Sequence, residues 1–477
     1  MSAPLSYDAI VVGGGVHGLV AAAYLAKANR KVLLLEAQND FGGSCRAAQS
    51  LYALDPLVPW QLRLARHGLR FAVRDMPLAG LRGDGRHINI SRDVHDTAAG
   101  IAIHSHRDAE AWPRFRNELF EIARAMRPLW WEEQRPVPSG PIRAKIDRIA
   151  RMGASAWLDS WFVSDELKAA LCFDGTDGGV SVLEPGSALS LVWRAAQEMS
   201  GLQGAVAFPF GGPEALAKSL LAAAREAGCE LRTASRVVRI VTDGDGVAGV
   251  ELESGERCIA SAIVCAVPRH RVLLEWLPRE TLPMAQAAVM TRMSVPLAEA
   301  RITIALRNAP RFSGIAVKPA SRFIVAEKPE TYAAAALAAH AGKIADELPI
   351  EFLLPTAADP ALAPDGQHIL SALVRPLPRH CEGGWAAGKE TLVKRVLAAL
   401  QSLSPAIMRD AVSVDVLTPD DLDGADSGVA VDRMLSTYKE RVTTPLRGLF
   451  VCGGDAEPVP SISGRAARFA AATALKP

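Results

Sequence analysis

Three glycines near the amino terminus, Gly13, Gly15 and Gly18, follow one another with the spacing GxGxxG. An apolar run at residues 9–12 comes directly before them and indicates a buried strand. Between a strand and a helix, these glycines permit a tight turn and let a pyrophosphate approach the backbone, while the helix N-terminus offers N–H groups to the phosphates. Glu36 follows 18 residues after Gly18 and can accept hydrogen bonds from a ribose. These residues predict a dinucleotide-binding site.

A second GxGxxG match lies at Gly244, Gly246 and Gly249, and its surroundings distinguish it from the first. The first match continues into small, apolar, helix-forming residues at 19–28 and then into a second apolar run at 32–35. The second match lies in VVRIVTDGDGVAGVELESG, where turn residues join two stretches typical of strands. We therefore predict that the second match is a hairpin turn.

The composition is typical of a globular protein with a large core, with 49% hydrophobic and 22% charged residues among 477. A formal net charge of +1 gives no electrostatic reason to expect nucleic-acid binding. The sequence shows no apolar run of the ~18 residues that a transmembrane helix needs, and no secretory signal. The seven cysteines are scattered and never form CxxC, which favours a reducing cytoplasm and argues against a metal site.

Trp130 and Trp131 close a predicted helix and leave two interpretations open. An aromatic pair at a helix end suits a lipid headgroup zone and would then make a peripheral membrane contact. Packing in the core or around a pocket suits the same pair, and we prefer this second interpretation.

Later segments repeat features of the amino-terminal unit. Gly42 and Gly43 supply a second glycine pair after Glu36, where the backbone can pass close to a ligand. Apolar, strand-like runs return at residues 262–267 and 449–453, and the second of them is followed by a glycine turn and a predicted helix. The chain thus predicts a dinucleotide-binding domain assembled from separated pieces.

Whole segments of the chain resemble a known family. GGGVHGLVAAAYLAKANRKVLLLEAQNDFGGS, PFGGPEALAKSLLAAAREAGCELRT and LRGLFVCGGD resemble phytoene-desaturase-like flavoproteins, and agree best with the branch called pyridine nucleotide-disulphide oxidoreductase domain-containing protein 2. The resemblance covers nearly the whole chain in order. The name of the branch is no guide to the chemistry here, because the paired cysteines that disulphide exchange needs are absent from the sequence.

The resemblance implies FAD as the cofactor and an α/β fold. That fold is a Rossmann-type FAD-binding domain of the amine-oxidase and glutathione-reductase-2-like kind, with an inserted α+β substrate domain on a mostly antiparallel sheet. The FAD-binding domain would comprise residues 1–75, 200–275 and 430–477. The substrate-binding domain would comprise residues 76–199 and 276–429.

The resemblance also implies which residues hold the cofactor. The first glycine turn and its acid would hold the ADP half, the second glycine pair would lie beside the pyrophosphate, and one strand backbone would meet adenine. The carboxy-terminal Gly-Asp pair would contact the pyrophosphate and ribityl chain, and the next helix would direct its positive end at flavin O2. In this order along the chain, the positions are Gly13, Gly15, Val16, His17, Gly18, Glu36, Ala37, Gly43, Ser44, Val237, Gly454, Asp455, Ile462 and Ser463.

The sequence departs from the family pattern in three places. His17 stands where the branch usually has Asn, and Val16 stands where it has His. The long loop expected after TPDDL is shortened to DGADSGVAVDRML, and a run like HPGGG is replaced by EPVPS. The last two segments lie near the flavin in relatives, so the cofactor assignment survives the changes but the substrate cannot be inferred.

The main functional prediction is an FAD-dependent dehydrogenase, desaturase or oxidase that passes a hydride from a substrate C–H to flavin N5. A flavin amine or amino-acid oxidase is the enzymatic alternative, and an FAD-stabilised interaction protein with little turnover is a second alternative. The expected partner is a largely apolar substrate, either a small molecule or bound to a carrier. Oxygen, quinone or NAD remain open as the electron acceptor, and oligomerisation is also left open.

No residue is assigned as a catalytic acid or base. Asp455 is interpreted as structural to the cofactor, and His17 as lining the flavin edge or packing locally. Arg465 suits either a contact with flavin or a substrate carboxylate, or a position on the surface of a helix.

Overall fold

The strands and helices are taken from a computed structural model that describes residues 5–132, 135–244, 246–278, 281, 297–314, 316–422 and 431–476. The strands are β1 (Leu5–Ser6), β2 (Ala9–Val12), β3 (Val32–Leu35), β4 (Phe71–Val73), β5 (Leu78–Leu81), β6 (Ile88–Ile90), β7 (Glu198–Met199), β8 (Leu202–Gln203), β9 (Phe208–Pro209), β10 (Glu230–Arg232), β11 (Val237–Asp243), β12 (Gly246–Leu252), β13 (Arg257–Ile259), β14 (Ile263–Cys265), β15 (Ala298–Leu306), β16 (Arg322–Val325), β17 (Ile350–Leu353), β18 (His368–Leu377), β19 (Ala411–Leu417) and β20 (Leu449–Val451).

The α-helices are α1 (Val16–Lys27), α2 (Leu57–Gln61), α3 (Val94–Ala102), α4 (His106–Trp131), α5 (Pro141–Ala150), α6 (Ala154–Asp159), α7 (Asp165–Gly175), α8 (Ser187–Ala196), α9 (Glu214–Glu226), α10 (Pro329–His340), α11 (Pro355–Ala358), α12 (Trp385–Leu403), α13 (Ala406–Asp410), α14 (Val431–Leu435), α15 (Tyr438–Val442) and α16 (Arg465–Ala474). Short helical turns lie at Gly43–Arg46, Leu64–His67, Arg271–Trp276, Pro360–Leu362 and Gly454–Ala456.

A parallel sheet of five strands, in the order β10-β3-β2-β14-β20, forms the centre of the nucleotide-binding fold. The strands β2 and β3 read AIVV and VLLL and are buried along their whole length, as expected when both faces of a parallel sheet are covered. One apolar core joins this sheet to α1, α9 and α16, and a second joins it to the four-stranded sheet β1-β13-β12-β11.

The second GxGxxG match lies in the antiparallel hairpin of β11 and β12, which confirms the sequence prediction. Gly249 has a φ of 158° and is packed so closely that a Cβ would come within 2.2 Å of the Cys258 carbonyl oxygen. The glycine spacing is therefore a packing feature of the smaller sheet.

A seven-stranded sheet, in the order β19-β15-β18-β17-β16-β5-β6, supports the rest of the chain. Its strand pairs are antiparallel except for β16 with β5. Helices α4 to α8 pack on one side of it in one apolar core, and α12 packs in another. This arrangement, together with the parallel sheet, confirms the predicted fold class.

The tryptophan pair at the end of α4 is part of the interior. Trp130 is 0% exposed and donates its indole N–H to the carbonyl of Met434 at 2.8 Å. Trp131 is half-buried, with the Arg127 guanidinium 3.7 Å from its ring centre. The preferred interpretation of core packing is thus correct. Among the described helices, none is long and apolar enough to cross a membrane.

Candidate functional site

Four parallel strands bring the predicted cofactor-binding segments to one edge of the central sheet. In the register of the sheet, Val12 lies beside Leu35 and Cys265, and Cys265 lies beside Val451. The glycine turn, the acid and the carboxy-terminal turn each follow directly after one of these strand ends. Ligands of open α/β sheets bind outside the carboxyl ends of the strands, so this edge is the candidate site.

The first glycine turn is held close to the sheet and leaves the start of α1 open. A Cβ on Gly18 would lie 1.7 Å from the carbonyl oxygen of Gly13, so only glycine fits there. Gly15 caps α1 with no side-chain hydrogen bond. A Cβ on Gly15 would meet only the Cα of Gly43, at 3.8 Å. The helix start, with Val16 and His17 in its first turn, therefore leaves room for a phosphate group beside the backbone.

The second glycine pair lies against the first. The N–H of Gly42 donates to the carbonyl of Gly14 at 2.9 Å. Gly43 has a φ of 50°, and a Cβ there would come within 2.9 Å of the Gly15 Cα. Ser44 follows in the helical turn Gly43–Arg46. Two stretches that are distant in the sequence thus form one glycine-lined groove.

Glu36 turns its carboxylate toward the first glycine turn. Oε2 accepts the N–H of Gly14 at 2.6 Å, and Oε1 accepts the N–H of Gln38 at 2.8 Å, with Ala37 between them in sequence. The side chain is half-buried, so its remaining acceptor positions face the groove or solvent. The acid lies where a ribose beside the glycine turn can be hydrogen-bonded.

Val237 starts β11 next to this acid. The N–H of Ser235 donates to the carbonyl of Glu36 at 2.8 Å, and the N–H of Ala234 donates to the carbonyl of Gln38 at 2.8 Å. Val237 itself is 4% exposed. Its segment therefore runs alongside the residues after β3, at the outer end of the groove.

The carboxy-terminal turn Gly454–Ala456 contains a buried carboxylate with an unused oxygen. Asp455 Oδ2 accepts the backbone N–H of Arg269, whereas Oδ1 is buried with no hydrogen-bond partner among the described residues. Burial raises the pKa of Asp455, against the opposing effects of the Arg269 N–H and the Arg433 charge. A buried unpaired acceptor needs a donor. A ribityl hydroxyl of FAD provides one, so this residue fits the predicted cofactor.

Helix α16 begins beside helix α1, with which it shares an apolar core. Ser463 accepts the N–H of Arg465 at its side chain, at 2.9 Å, and the N–H of Asp55 at its carbonyl, also at 2.9 Å. Ile462, just before it, packs against the core that α1 and α16 share. Arg465 is 1% exposed and lies 3.6 Å from the Asp55 carboxylate, so the surface position considered for it is wrong.

Glu457 is a functional candidate that the sequence reasoning missed. It is 0% exposed and accepts hydrogen bonds from the Tyr438 hydroxyl at 2.6 Å, the Ala466 N–H at 2.8 Å, and the Ser463 hydroxyl. The Nε2 atom of His17 lies 3.4 Å away. Burial by itself would raise the pKa of Glu457, but the contacts with His17 and the charge of Arg465 outweigh it and lower the pKa to about 2. Its only sequence signal is its place in the EPVPS run.

A buried ionic network occupies the face of the seven-stranded sheet that meets the helices. Arg322 donates to Asp174 Oδ1 at 2.5 Å and to Glu351 Oε2 at 2.8 Å. Burial alone would raise the pKa of Asp174, but the charges of Arg322 and Arg194 lower it to about 2. Three segments far apart in sequence thus share one ionic cluster.

The same network continues through Arg375. Its guanidinium lies 2.5 Å from Asp177 Oδ1 and 3.7 Å from Glu299 Oε2. Burial raises the pKa of both Asp177 and Glu299, although Arg375 acts in the opposite direction. The Glu299 side chain is 41% exposed, so the network ends there at a partly accessible carboxyl group.

The network approaches the cofactor side through Tyr52. The Arg194 guanidinium carbon lies 4.3 Å from the centre of the Tyr52 ring. Three residues earlier, Gln49 donates to the carbonyl of Ser371 on β18 at 2.8 Å. Arg301 on β15 donates to the carbonyl of Ala48 at 2.7 Å. The segment after the second glycine pair therefore lies directly on this sheet.

A cavity of about 390 Å³ reaches the network from the surface. Its walls include Trp112, Phe115 and Leu119 of α4, and its inner end includes Asp174, Arg194 and Arg322. The volume falls in the range of about 300–1,000 Å³ typical of small-molecule sites. The cavity combines an apolar wall with an ionic inner end, which suits an amphiphilic small molecule.

A family model described as FAD dependent oxidoreductase matches residues 8–345. Because this match spans more than half of the chain, the chain belongs to that family and FAD is its cofactor. The fold, the glycine groove and the unpaired Asp455 oxygen agree with this assignment. The protein is an FAD-dependent oxidoreductase.

Proteins similar to this chain do not identify its substrate. The rat protein called pyridine nucleotide-disulfide oxidoreductase domain-containing protein 2 is 26% identical, over 98% of this chain and 92% of the rat protein. Phytoene dehydrogenase of Streptomyces griseus is 27% identical, over 77% of this chain and 72% of that enzyme. Wild-type putrescine oxidase bound to putrescine aligns with a TM-score of 0.65 at 17% identity, covering 98% of each chain, which shows the shared fold alone.

Two further sequence observations can be compared with the structure. All seven cysteines are unpaired, and burial raises the pKa of Cys45 to about 12, so the structure offers no thiolate there for redox exchange. Within the described ranges, no cluster of His, Cys, Asp and Glu is arranged to hold a metal ion. The shortened loop falls largely at residues 423–430, outside the described residues.

Proposed function

We propose that FAD lies across the carboxyl edge of the parallel sheet, held by the residues that the sequence predicts. The ADP half would lie at the glycine turn and Glu36, with adenine near Val237. The pyrophosphate would lie between the start of α1, Gly43 and Gly454, and Asp455 would accept a ribityl hydroxyl. The open start of α1 and the unpaired Asp455 oxygen support this placement.

In this arrangement the chain catalyses a dehydrogenation. Bound FAD supplies the acceptor for a hydride from a substrate C–H. The start of α16 favours negative charge on the flavin through the positive end of its dipole, since its first N–H groups, those of Arg465 and Ala466, already bind Ser463 and Glu457. The cavity beneath α4 takes up the substrate and keeps its reacting carbon away from bulk water. The residues that orient the substrate are those of the cavity wall and of the ionic network.

The observation that carries the substrate class is a buried ionic group, Asp174, Arg194 and Arg322, in a cavity that has an apolar wall on α4. Nη1 of Arg194 is buried without a hydrogen-bond partner among the described residues, and a wholly apolar polyene would leave it so. The substrate is therefore a small molecule with an apolar body and a polar or charged end, free or carried by another molecule.

Amine oxidation is the second candidate, and the charges of the network favour it. Within the described part of the chain, the network joins the carboxylates of Asp174, Asp177, Glu299 and Glu351 to the guanidinium groups of Arg194, Arg322 and Arg375. The network holds one more carboxyl than guanidinium group, and a cationic substrate would favour the ionised forms of Asp177 and Glu299, whose pKa burial raises. Putrescine oxidase, which shares the fold, is named for a diamine substrate.

The two parts of the chain divide these tasks. Residues 1–75, 200–275 and 430–477 bind FAD, and residues 76–199 and 276–429 bind the substrate. The unpaired cysteines favour a reducing compartment, and we assign the protein to the cytoplasm on that ground.

Anaerobic reduction of the purified, flavin-loaded protein tests the proposal. Donors would be added in matched sets: amines, amino acids, hydroxy acids, and apolar alkenes and polyenes of increasing length. We expect bleaching of the flavin absorbance by a small donor with a polar or charged end. Bleaching by long polyenes alone would refute the substrate class, and a chain that cannot be loaded with flavin would refute the function. A loaded chain that no donor reduces would support the interaction-protein alternative.

A further inference from the structure

Glu457 is a buried carboxylate on which three helices converge. His17 lies in the first turn of α1, Tyr438 begins α15, and the N–H of Ala466 belongs to the first turn of α16. Each of these groups contacts the Glu457 carboxylate, and Ser463 completes the set. One side chain therefore connects the two helix starts that face the candidate cofactor groove.

The contact between His17 and Glu457 is close and buried. Nε2 of His17 lies 3.4 Å from Oε1 of Glu457. The side chains are 8% and 0% exposed, so the charge of Glu457 is weakly screened there. The pKa of Glu457 is lowered to about 2, so the contact places a negative charge close to the start of α16.

This contact joins two distant segments of the chain. The two positions are 440 residues apart in the sequence, and the fold brings their side chains together. The contact therefore holds the amino-terminal glycine turn and the carboxy-terminal segment in a fixed relation.

We infer that His17 and Glu457 form a positioning pair for FAD, which holds the starts of α1 and α16 in a fixed relation and sets both the affinity for FAD and the reduction potential of the flavin. The inference rests on the proposed function for its placement of the cofactor. Helix starts bind phosphate and stabilise the reduced, negatively charged flavin only when they are correctly aimed. The negative charge of Glu457 near the start of α16 opposes that stabilisation, while the contact with His17 holds α1 in place beside α16.

The two members of the pair predict different effects. Glu457→Gln removes the negative charge while keeping the shape, so the flavin potential should become more positive. His17→Asn shortens the side chain that reaches Glu457 and leaves the carboxylate in place, so it should shift the potential less. Both variants should bind FAD about tenfold more weakly, as is typical when a residue supporting a bound cofactor is lost. Lys439→Gln, an exposed change of charge on α15, is the matched control.

Three measurements decide the question: the dissociation constant of FAD from the reconstituted apoprotein, the melting temperatures of apoprotein and holoprotein, and the midpoint potential. The inference predicts that the stabilisation by FAD is smaller in both variants and that the potential of Glu457→Gln shifts to a more positive value. Equal losses in the apoprotein and holoprotein, with wild-type affinity and potential, would show a purely structural role and overturn it. If Glu457→Gln does not fold, His17→Asn alone decides by its affinity for FAD.

Failure of this inference can be separated from failure of the proposed function. Wild-type protein that loads FAD and is reduced by a donor retains the function even if neither variant differs from it. Conversely, weaker FAD binding by both variants and a more positive potential of Glu457→Gln, in a protein that no donor reduces, would uphold the positioning pair and refute the dehydrogenation.

Discussion

One oxygen of the Asp455 carboxylate accepts the backbone N–H of Arg269, and the other oxygen is buried without a hydrogen-bond partner among the described residues. The first contact fixes the carboxylate at the end of the loop after β14. The second oxygen remains available to a donor from outside the chain. A buried carboxylate in this state destabilises the apoprotein and favours a ligand that carries a hydroxyl group.

Replacing this carboxylate should therefore affect the apoprotein and holoprotein in opposite ways. Asp455→Asn removes the buried charge, so we expect the melting temperature of the apoprotein to stay the same or rise. The affinity for FAD should fall about tenfold, since a hydrogen bond to a charged acceptor is lost. Fluorescence titration of the apoprotein with FAD measures the affinity, with exposed Asp243→Asn as the control. Unchanged affinity would show that the ribityl chain does not meet this oxygen.

The first glycine turn should tolerate no side chain at Gly18. In Gly18→Ala the new Cβ would lie 1.7 Å from the Gly13 carbonyl oxygen, so the turn must open and α1 must move away from the sheet. We expect the variant to purify without flavin and to melt at a lower temperature. Gly83→Ala is the matched control, because a Cβ there meets nothing within 4 Å. A Gly18→Ala protein with normal flavin content would contradict the close packing described here.

The ionic network should give the protein a characteristic dependence on pH. The pKa of Asp174 is lowered to about 2 in the folded protein, below the value of about 3.9 in an unfolded chain. The ionised carboxylate therefore stabilises the fold above about pH 4, and this stabilisation is lost as the pH falls toward 2.

We accordingly expect Asp174→Asn to be destabilised by about 3–5 kcal/mol at pH 7, because Arg322 loses a buried partner. The difference from the wild type should shrink as the pH is lowered from about 5 toward 3. Thermal melts across this range test it, with exposed Asp415→Asn as a control that should match the wild type throughout. A difference that is constant with pH would indicate a steric effect of the substitution.

Filling the cavity should impair the reaction without affecting the cofactor. Leu119 lines the cavity wall and is half-buried, so Leu119→Trp narrows the space open to the substrate. We expect a higher KM or slower flavin reduction by the best donor, with unchanged FAD content. Leu337→Trp changes a side chain that is 74% exposed, and it should behave like the wild type. Equal reduction kinetics in both variants would place the substrate elsewhere.

The comparison of the two GxGxxG matches shows what local sequence can decide. At Gly13 the apolar run, the small helix-forming residues and the following acid predict strand, helix and strand, and α1 and β3 confirm them. At Gly244 the surrounding alternation predicts a hairpin, which β11 and β12 confirm. Both decisions depend on residues within about one supersecondary unit, where periodicity and turn chemistry act directly.

The partners of buried charged residues could not be predicted from the local sequence in the same way. Arg322 is 148 residues from Asp174 and 29 from Glu351, and nothing in its local pattern indicates either partner. Arg465 was left undecided between a ligand contact and the surface, and it proved to be a buried partner of Asp55. Burial and partner choice depend on how distant elements pack, which a local pattern does not contain.

The sequence by itself determined the glycine turn, the acid that follows it, the separated pieces of a dinucleotide-binding domain and, through family resemblance, FAD. These depend on short motifs whose backbone geometry is encoded within a few residues. Only the tertiary structure decided that His17 meets Glu457, that Trp130 is buried, and that a cavity with an apolar wall reaches an ionic network. Such features arise where chain segments hundreds of residues apart exclude water together, and the low dielectric there determines which charges can exist and what they can bind.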